Sequence, residues 1–113
     1  MFPEPLSVEE QEREYNWLGA FESYKKALSL VPEQDYFRMG DIYERLGYAS
    51  YRAAMQAESV NEFKTRCIQA VENYKKANEL YGRLSEPGKK PRMLRCDAMI
   101  AYVGYWLASE VPE

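Results

Sequence analysis

The chain contains no histidine, which removes the Ser/His triad, the Cys/His pair and the Glu-x-x-His metal motif together. Four sets of polar residues remain whose types and spacing could do chemistry. Asp41, Glu44 and Arg45 lie within about one helical turn, with Asp97 far along the chain. Two carboxylates facing one another can act as acid and base, but no nucleophile elbow or glycine-rich phosphate loop accompanies them, so they read better as polar contacts. Lys89, Lys90, Arg92 and Arg95 place four positive charges within seven residues and form a candidate anion patch. A phosphate site at a helix start uses several free backbone N–H groups, whereas Pro91 removes one and only Gly88 is nearby. Lys25-Lys26 and Lys75-Lys76 form a repeated basic pair, with Glu22 and Glu72 placed four residues before a lysine, the favourable helical ion-pair spacing of a solvated face. Cys67 and Cys96 complete the inventory; two thiols without histidine are half of a zinc ligand set. These sets predict no metal, no cofactor and no catalysis.

A length of 113 residues, with 46% apolar and 29% charged, fits one modest domain with a buried core. No apolar run reaches the roughly 18 residues of a membrane span. The opening MFPEPL has neither the basic start nor the apolar run of a signal peptide. An untargeted cytoplasmic protein without membrane contact is expected. A net charge of −3 lacks the positive field that generic polyphosphate binding needs, so no nucleic-acid partner is expected either.

Helical periodicity organises the chain. Trp17, Ala20, Phe21, Tyr24, Ala27, Leu28 and Val31 recur at steps of three and four. With Ser7 and Glu10 at capping-box spacing and Pro32 as a stop, they predict a helix over about 8–30. A second helix over about 34–57 carries Gly40, Gly47 and Ala54 at steps of seven, a seam of small residues where another helix can approach. Ser59 and Glu62 repeat the capping-box spacing and open a third helix over about 62–84, with Phe63, Cys67, Ala70, Val71, Tyr74, Ala77 and Tyr81 as its stripe. Ser85, Pro87 and Gly88 mark a turn, and Pro91 starts a fourth helix over about 91–109. On adjacent antiparallel helices joined near Pro87, Cys67 and Cys96 would differ in height by about 16 Å, beyond the roughly 7 Å that a disulfide spans. Reduced core thiols are expected.

Laid on itself, the chain repeats: AFESYKKALSL at Ala20–Leu30 matches AVENYKKANEL at Ala70–Leu80 at seven of eleven positions. Tyr48, Tyr51 and Ala54 correspond to Tyr102, Tyr105 and Ala108 at an offset of 54. Both members of a helix pair therefore recur, the mark of an α-solenoid.

The pattern A-x3-Y-x2-A in both segments, with Leu28 and Pro32 in the first, resembles the second helix of a tetratricopeptide repeat. Met39-Gly40, Tyr43 and Gly47 within FRMGDIYERLGYASY resemble that family's first helix. The likeness covers about 17–84. The period of 50 to 54 exceeds the family's usual 34, so it implies a long-helix variant. It also implies an all-α array of four antiparallel helices, in which first-type helices line the inner surface. The chain opens on a second-type helix and closes on a first-type one, as a stretch of a longer superhelix would. Aligning Gly40 with the family glycine makes Phe37, Asp41, Glu44 and Arg45 groove-facing, and Tyr48 joins them as a surface aromatic. The second helix has neither lysine nor asparagine, which disfavours the family's clamp for a terminal carboxylate.

The resulting expectation is a non-catalytic scaffold for a protein or peptide partner. A small peptide-binding trafficking module and an all-α enzyme or ligand-binding bundle are the alternatives, the last requiring a closed cavity. Within the fourth helix, AMIAYVGYWLA at Ala98–Ala108 carries no charge. A helix apolar all round needs partners on two faces, so the expectation is either a natural chain that continues beyond Glu113 or a homodimer through Tyr102, Tyr105 and Trp106.

Overall fold

The computed structural model describes residues 16–110, with side chains through Ser109. Among the described residues the fold is all-α: α1 (Trp17–Leu28), α2 (Tyr36–Met55), α3 (Val60–Tyr81) and α4 (Lys89–Glu110), with no strand. None of these helices is long and apolar enough to cross a membrane.

The starts of α1, α2 and α3 are each fixed by a short polar side chain. Asn16 has φ −89° and ψ 67°, outside the helical region, and its side chain accepts from Gly19 N at 3.0 Å. The first apolar stripe therefore begins its helix at Trp17, later than the expected start near Val8; Ser7 and Glu10 lie outside the described residues. Asp35 accepts from Arg38 N at 3.1 Å to open α2. Ser59 Oγ accepts from Glu62 N at 3.1 Å, and the Glu62 carboxylate reaches back to Glu58 N at 3.2 Å, one residue before the cap. This reciprocal pairing satisfies donors that the first turn leaves open. α3 stops at Tyr81, three residues earlier than expected. The amides of Arg83 and Leu84 bond the Leu80 and Tyr81 carbonyls in a tightened turn after Gly82.

Helices pack on their sequence neighbours: α1 on α2, α2 on α3, α3 on α4. The α2–α3 contact follows the small seam. A Cβ at Gly40 would sit 2.8 Å from the Tyr81 ring, and one at Gly47 would sit 2.8 Å from the Tyr74 ring. Ala54 shares a cluster with Cys67. Each step of seven along α2 thus meets a step of seven back along α3, with rings seated where only hydrogen atoms leave room.

The other two contacts draw on corresponding positions. Ala20 and Tyr24 of α1 pack with Leu46 of α2, and Trp17 packs with Ala49 and Ala53. Fifty residues on, Tyr74 clusters with Cys96 and Ile100 of α4, while Cys67 and Ala70 cluster with Val103 and Leu107. Ile100, Val103 and Leu107 stand 54 residues after Leu46, Ala49 and Ala53. Cys67 and Cys96 are both buried free thiols, and burial pushes Cys96 up to about 12.

Candidate functional site

α2 and α4 run side by side over α3, and between them lies an open groove of about 440 Å³. Asp41, Glu44, Arg45 and Tyr48 line it from α2, Arg95 and Met99 from α4, and Tyr74 from α3. The Tyr74 ring is held at this depth because Gly47 has no side chain to displace it.

Four of the five residues expected to bind a partner therefore share one groove. Their roles differ. Glu44 is a clasp and not a free acceptor: its Oε1 takes hydrogen bonds from Arg95 Nη2 at 2.7 Å and Tyr81 OH at 2.8 Å, while its Oε2 accepts from Arg95 Nε. The paired guanidinium fork fits the carboxylate in two places, joining α2 to α4, and the phenol joins both to α3. These bonds raise the Arg95 pKa above its usual value. Burial first, and the bond to Glu44 second, push the Tyr81 phenol upward. Asp41 lies 3.5 Å from Arg45 on the groove rim, with both side chains about half exposed. Arg45 Nη1 also donates to Tyr24 OH at 3.0 Å, and its guanidinium stands 5.7 Å from that ring's centre.

Phe37 is not among the groove's lining. It lies under the Arg92 guanidinium, 4.7 Å from the ring centre, in a cation–π contact. Arg92 also donates to Gly88 O at 2.7 Å. The expected anion patch consequently divides: Arg92 is held by Phe37 and Gly88, Arg95 is held by Glu44, and Lys89 and Lys90 remain at the start of α4. Asp97 accepts from Asn78 Nδ2 at 2.6 Å, which ties α4 to α3 and does not oppose Asp41 or Glu44. The repeated lysines are surface residues, with Lys76 3.8 Å from Glu79 and Lys25 over the Phe21 ring.

Beyond the groove the same face carries a chain of rings in contact: Trp17–Tyr48 at 5.4 Å, Tyr48–Tyr51 at 6.1 Å, Tyr51–Tyr102 at 5.7 Å, Tyr102–Trp106 at 6.2 Å and Trp106–Tyr105 at 6.2 Å. Most meet edge to face, the arrangement that the ring quadrupole favours. Arg52 caps the first of them, 5.0 Å from the Trp17 ring, and donates to Tyr48 OH at 3.1 Å. Tyr51 OH donates to Tyr102 OH at 3.4 Å. Burial and that bond push Tyr51 up to about 12, and the same bond lowers Tyr102. Of the residues expected at a self-association surface, Tyr105 is the most exposed, Tyr102 is engaged with Tyr51, and Trp106 is half-buried between them.

Tyr74 and Met99 were not expected in the site. A signal for the α2–α4 pairing does exist, since Glu44 and Tyr51 are seven apart, as are Arg95 and Tyr102. Among the described residues no group of three or more potential metal ligands gathers. The groove offers hydrogen-bonding charges of both signs around an aromatic and thioether floor. No family model, no curated protein and no solved structure matches this chain.

Proposed function

We propose that the chain is a non-catalytic, tetratricopeptide-like helical scaffold of the cytoplasm that holds a protein or peptide partner along the α2/α4 groove. The observation that carries this reading is the groove itself: it opens to solvent, and Asp41, Arg45 and Arg95 rim a floor of Tyr74 and Met99. The matched packing of α1 on α2 and α3 on α4, together with the offsets of 50 and 54, supports the solenoid part of the reading. The groove's charged rim holds two acidic and two basic side chains, which suits a peptide of mixed charge with one apolar anchor better than a strongly acidic or basic one.

Selection from a displayed random-peptide library tests it. Peptides carrying an aromatic or aliphatic anchor flanked by charge should be enriched on the intact chain. Tyr48→Ala and Arg45→Ala should each weaken the selected peptides at least tenfold, while Lys75→Glu on exposed α3 should leave binding unchanged. Enrichment that survives both groove substitutions would contradict the proposal.

A further inference from the structure

Shifted by the same 54 residues, the α2 seam of Gly40, Gly47 and Ala54 falls on Leu94, Ala101 and Ala108 of α4. On α2 that seam is filled by α3, through Tyr81, Tyr74 and Cys67. On α4 the equivalent stripe is bare. Leu94 is 61% and Tyr105 67% exposed, and Ala98, Ala101 and Ala108 are exposed with them. These five residues recur at steps of four and three down one side of the helix and carry no charge. The opposite side, through Cys96, Ile100, Val103 and Leu107, is already packed on α3.

We propose that this stripe is a dimerisation surface on which a second copy of the chain docks, α4 against α4, antiparallel, with the two-fold axis at Ala101. Three observations select a second copy. First, the stripe is complementary to itself when reversed: Leu94 comes opposite the partner's Ala108, Tyr105 comes near the partner's Ala98, and Ala101 meets its own counterpart. Large residues thus face small ones, as Tyr81 and Tyr74 face Gly40 and Gly47 within the chain. Second, the charges at the helix ends run against the helix dipole. The first turn of α4 carries Lys89 and Lys90 and no acid, and its last residue is Glu110 with no base in the last turn. An antiparallel partner sets each basic start beside the other copy's negative end and so relieves both, whereas a parallel partner would bring like ends together. Third, the exposed parts of Leu94, Tyr102, Tyr105 and the three alanines on two copies sum to roughly 1,000 Å², the lower bound of a specific interface. An interface of that size suits a dimer in concentration-dependent exchange with the monomer. It is isologous, so it closes on itself and leaves the α2/α4 groove open.

Sedimentation equilibrium of the full chain across a concentration series tests the association. A monomer–dimer equilibrium is expected, weakened at least tenfold by Ala101→Glu or Tyr105→Glu, both exposed positions, with circular dichroism unchanged. Cysteine pairing tests the geometry. Ala101→Cys should form a disulfide-linked dimer on mild oxidation, because only a residue on the axis meets itself. Leu94→Cys should cross-link poorly alone and well when mixed with Ala108→Cys. A chain that stays monomeric at high concentration, a dimer indifferent to both glutamates, or an Ala101→Cys chain that fails to cross-link would each overturn the proposal.

Discussion

A methyl group placed at Gly47 would stand 2.8 Å from the Tyr74 ring, yet at Gly104 it would meet nothing within 4 Å. The same kind of residue therefore has opposite meanings at two positions. Gly47→Leu must push α3 off α2 and is expected to destabilise the fold by about 3 kcal/mol. Gly104→Ala only removes a helix-interior glycine and should stabilise by about 0.5–1 kcal/mol. Urea denaturation of the two variants checks the ranking, and a Gly47→Leu chain as stable as the parent would contradict the seam. Alkaline pH probes the same interior. Cys96 moves from an ordinary value of 9.0 to about 12 through burial, and Cys67, Tyr51, Tyr74 and Tyr81 are raised for the same leading reason. A folded-state pKa above the unfolded one means that the native chain binds those protons more tightly. The associated stability is whole below about pH 9 and is lost as pH rises from there toward about 12. Denaturation midpoints should therefore fall above pH 9, with a shallower fall in Cys96→Ala; midpoints that hold steady or rise would show that these groups ionise freely in the native state.

Two kinds of contact hold the helices, and they differ in how far the sequence discloses them. Contacts between neighbouring helices follow apolar spacing, so the Gly40, Gly47 and Ala54 seam, the Ser59–Glu62 cap and helix ends within a few residues were legible. The start of α1 was not, because Ser7 and Glu10 offered a cap by spacing, whereas the cap that the described residues show is Asn16, whose side chain accepts from Gly19 N. Contacts between α2 and α4 depend on how two non-neighbouring helices are rotated. The sequence placed Glu44 and Arg95 in separate candidate sites, where geometry makes them one clasp. The same rotation sends Arg92 over Phe37 and removes both from the groove. Glu44 is only 14% exposed in its side chain and serves both Arg95 and Tyr81. Glu44→Ala should cost about 1.5–3 kcal/mol, since it strands the Tyr81 hydroxyl. Arg95 is 55% exposed, so Arg95→Ala should cost less, and the double-mutant coupling should be about 1 kcal/mol. Additive losses in the cycle would mean that the clasp is not formed in solution.

At the scale of the molecule, the main packing joins sequence neighbours, the side chains of Glu44 and Arg95 bridge α2 to α4, and an open groove between those two helices and an apolar edge of α4 stay exposed. Those two surfaces use different residues, so loss of one should spare the other. The Tyr105→Glu chain, expected to be monomeric, should still bind groove peptides with affinity changed less than twofold. The central claim is that recognition occurs between α2 and α4 over Tyr74 and Met99. The most direct measurement is a backbone amide NMR titration of the ¹⁵N-labelled Tyr105→Glu chain with a peptide from the library selection. Saturable shifts are expected at Asp41, Arg45, Tyr48, Tyr74, Arg95 and Met99, with the exposed face of α3 around Glu72 and Lys75 silent. Shifts centred on α3, or spread evenly over all four helices, would contradict it.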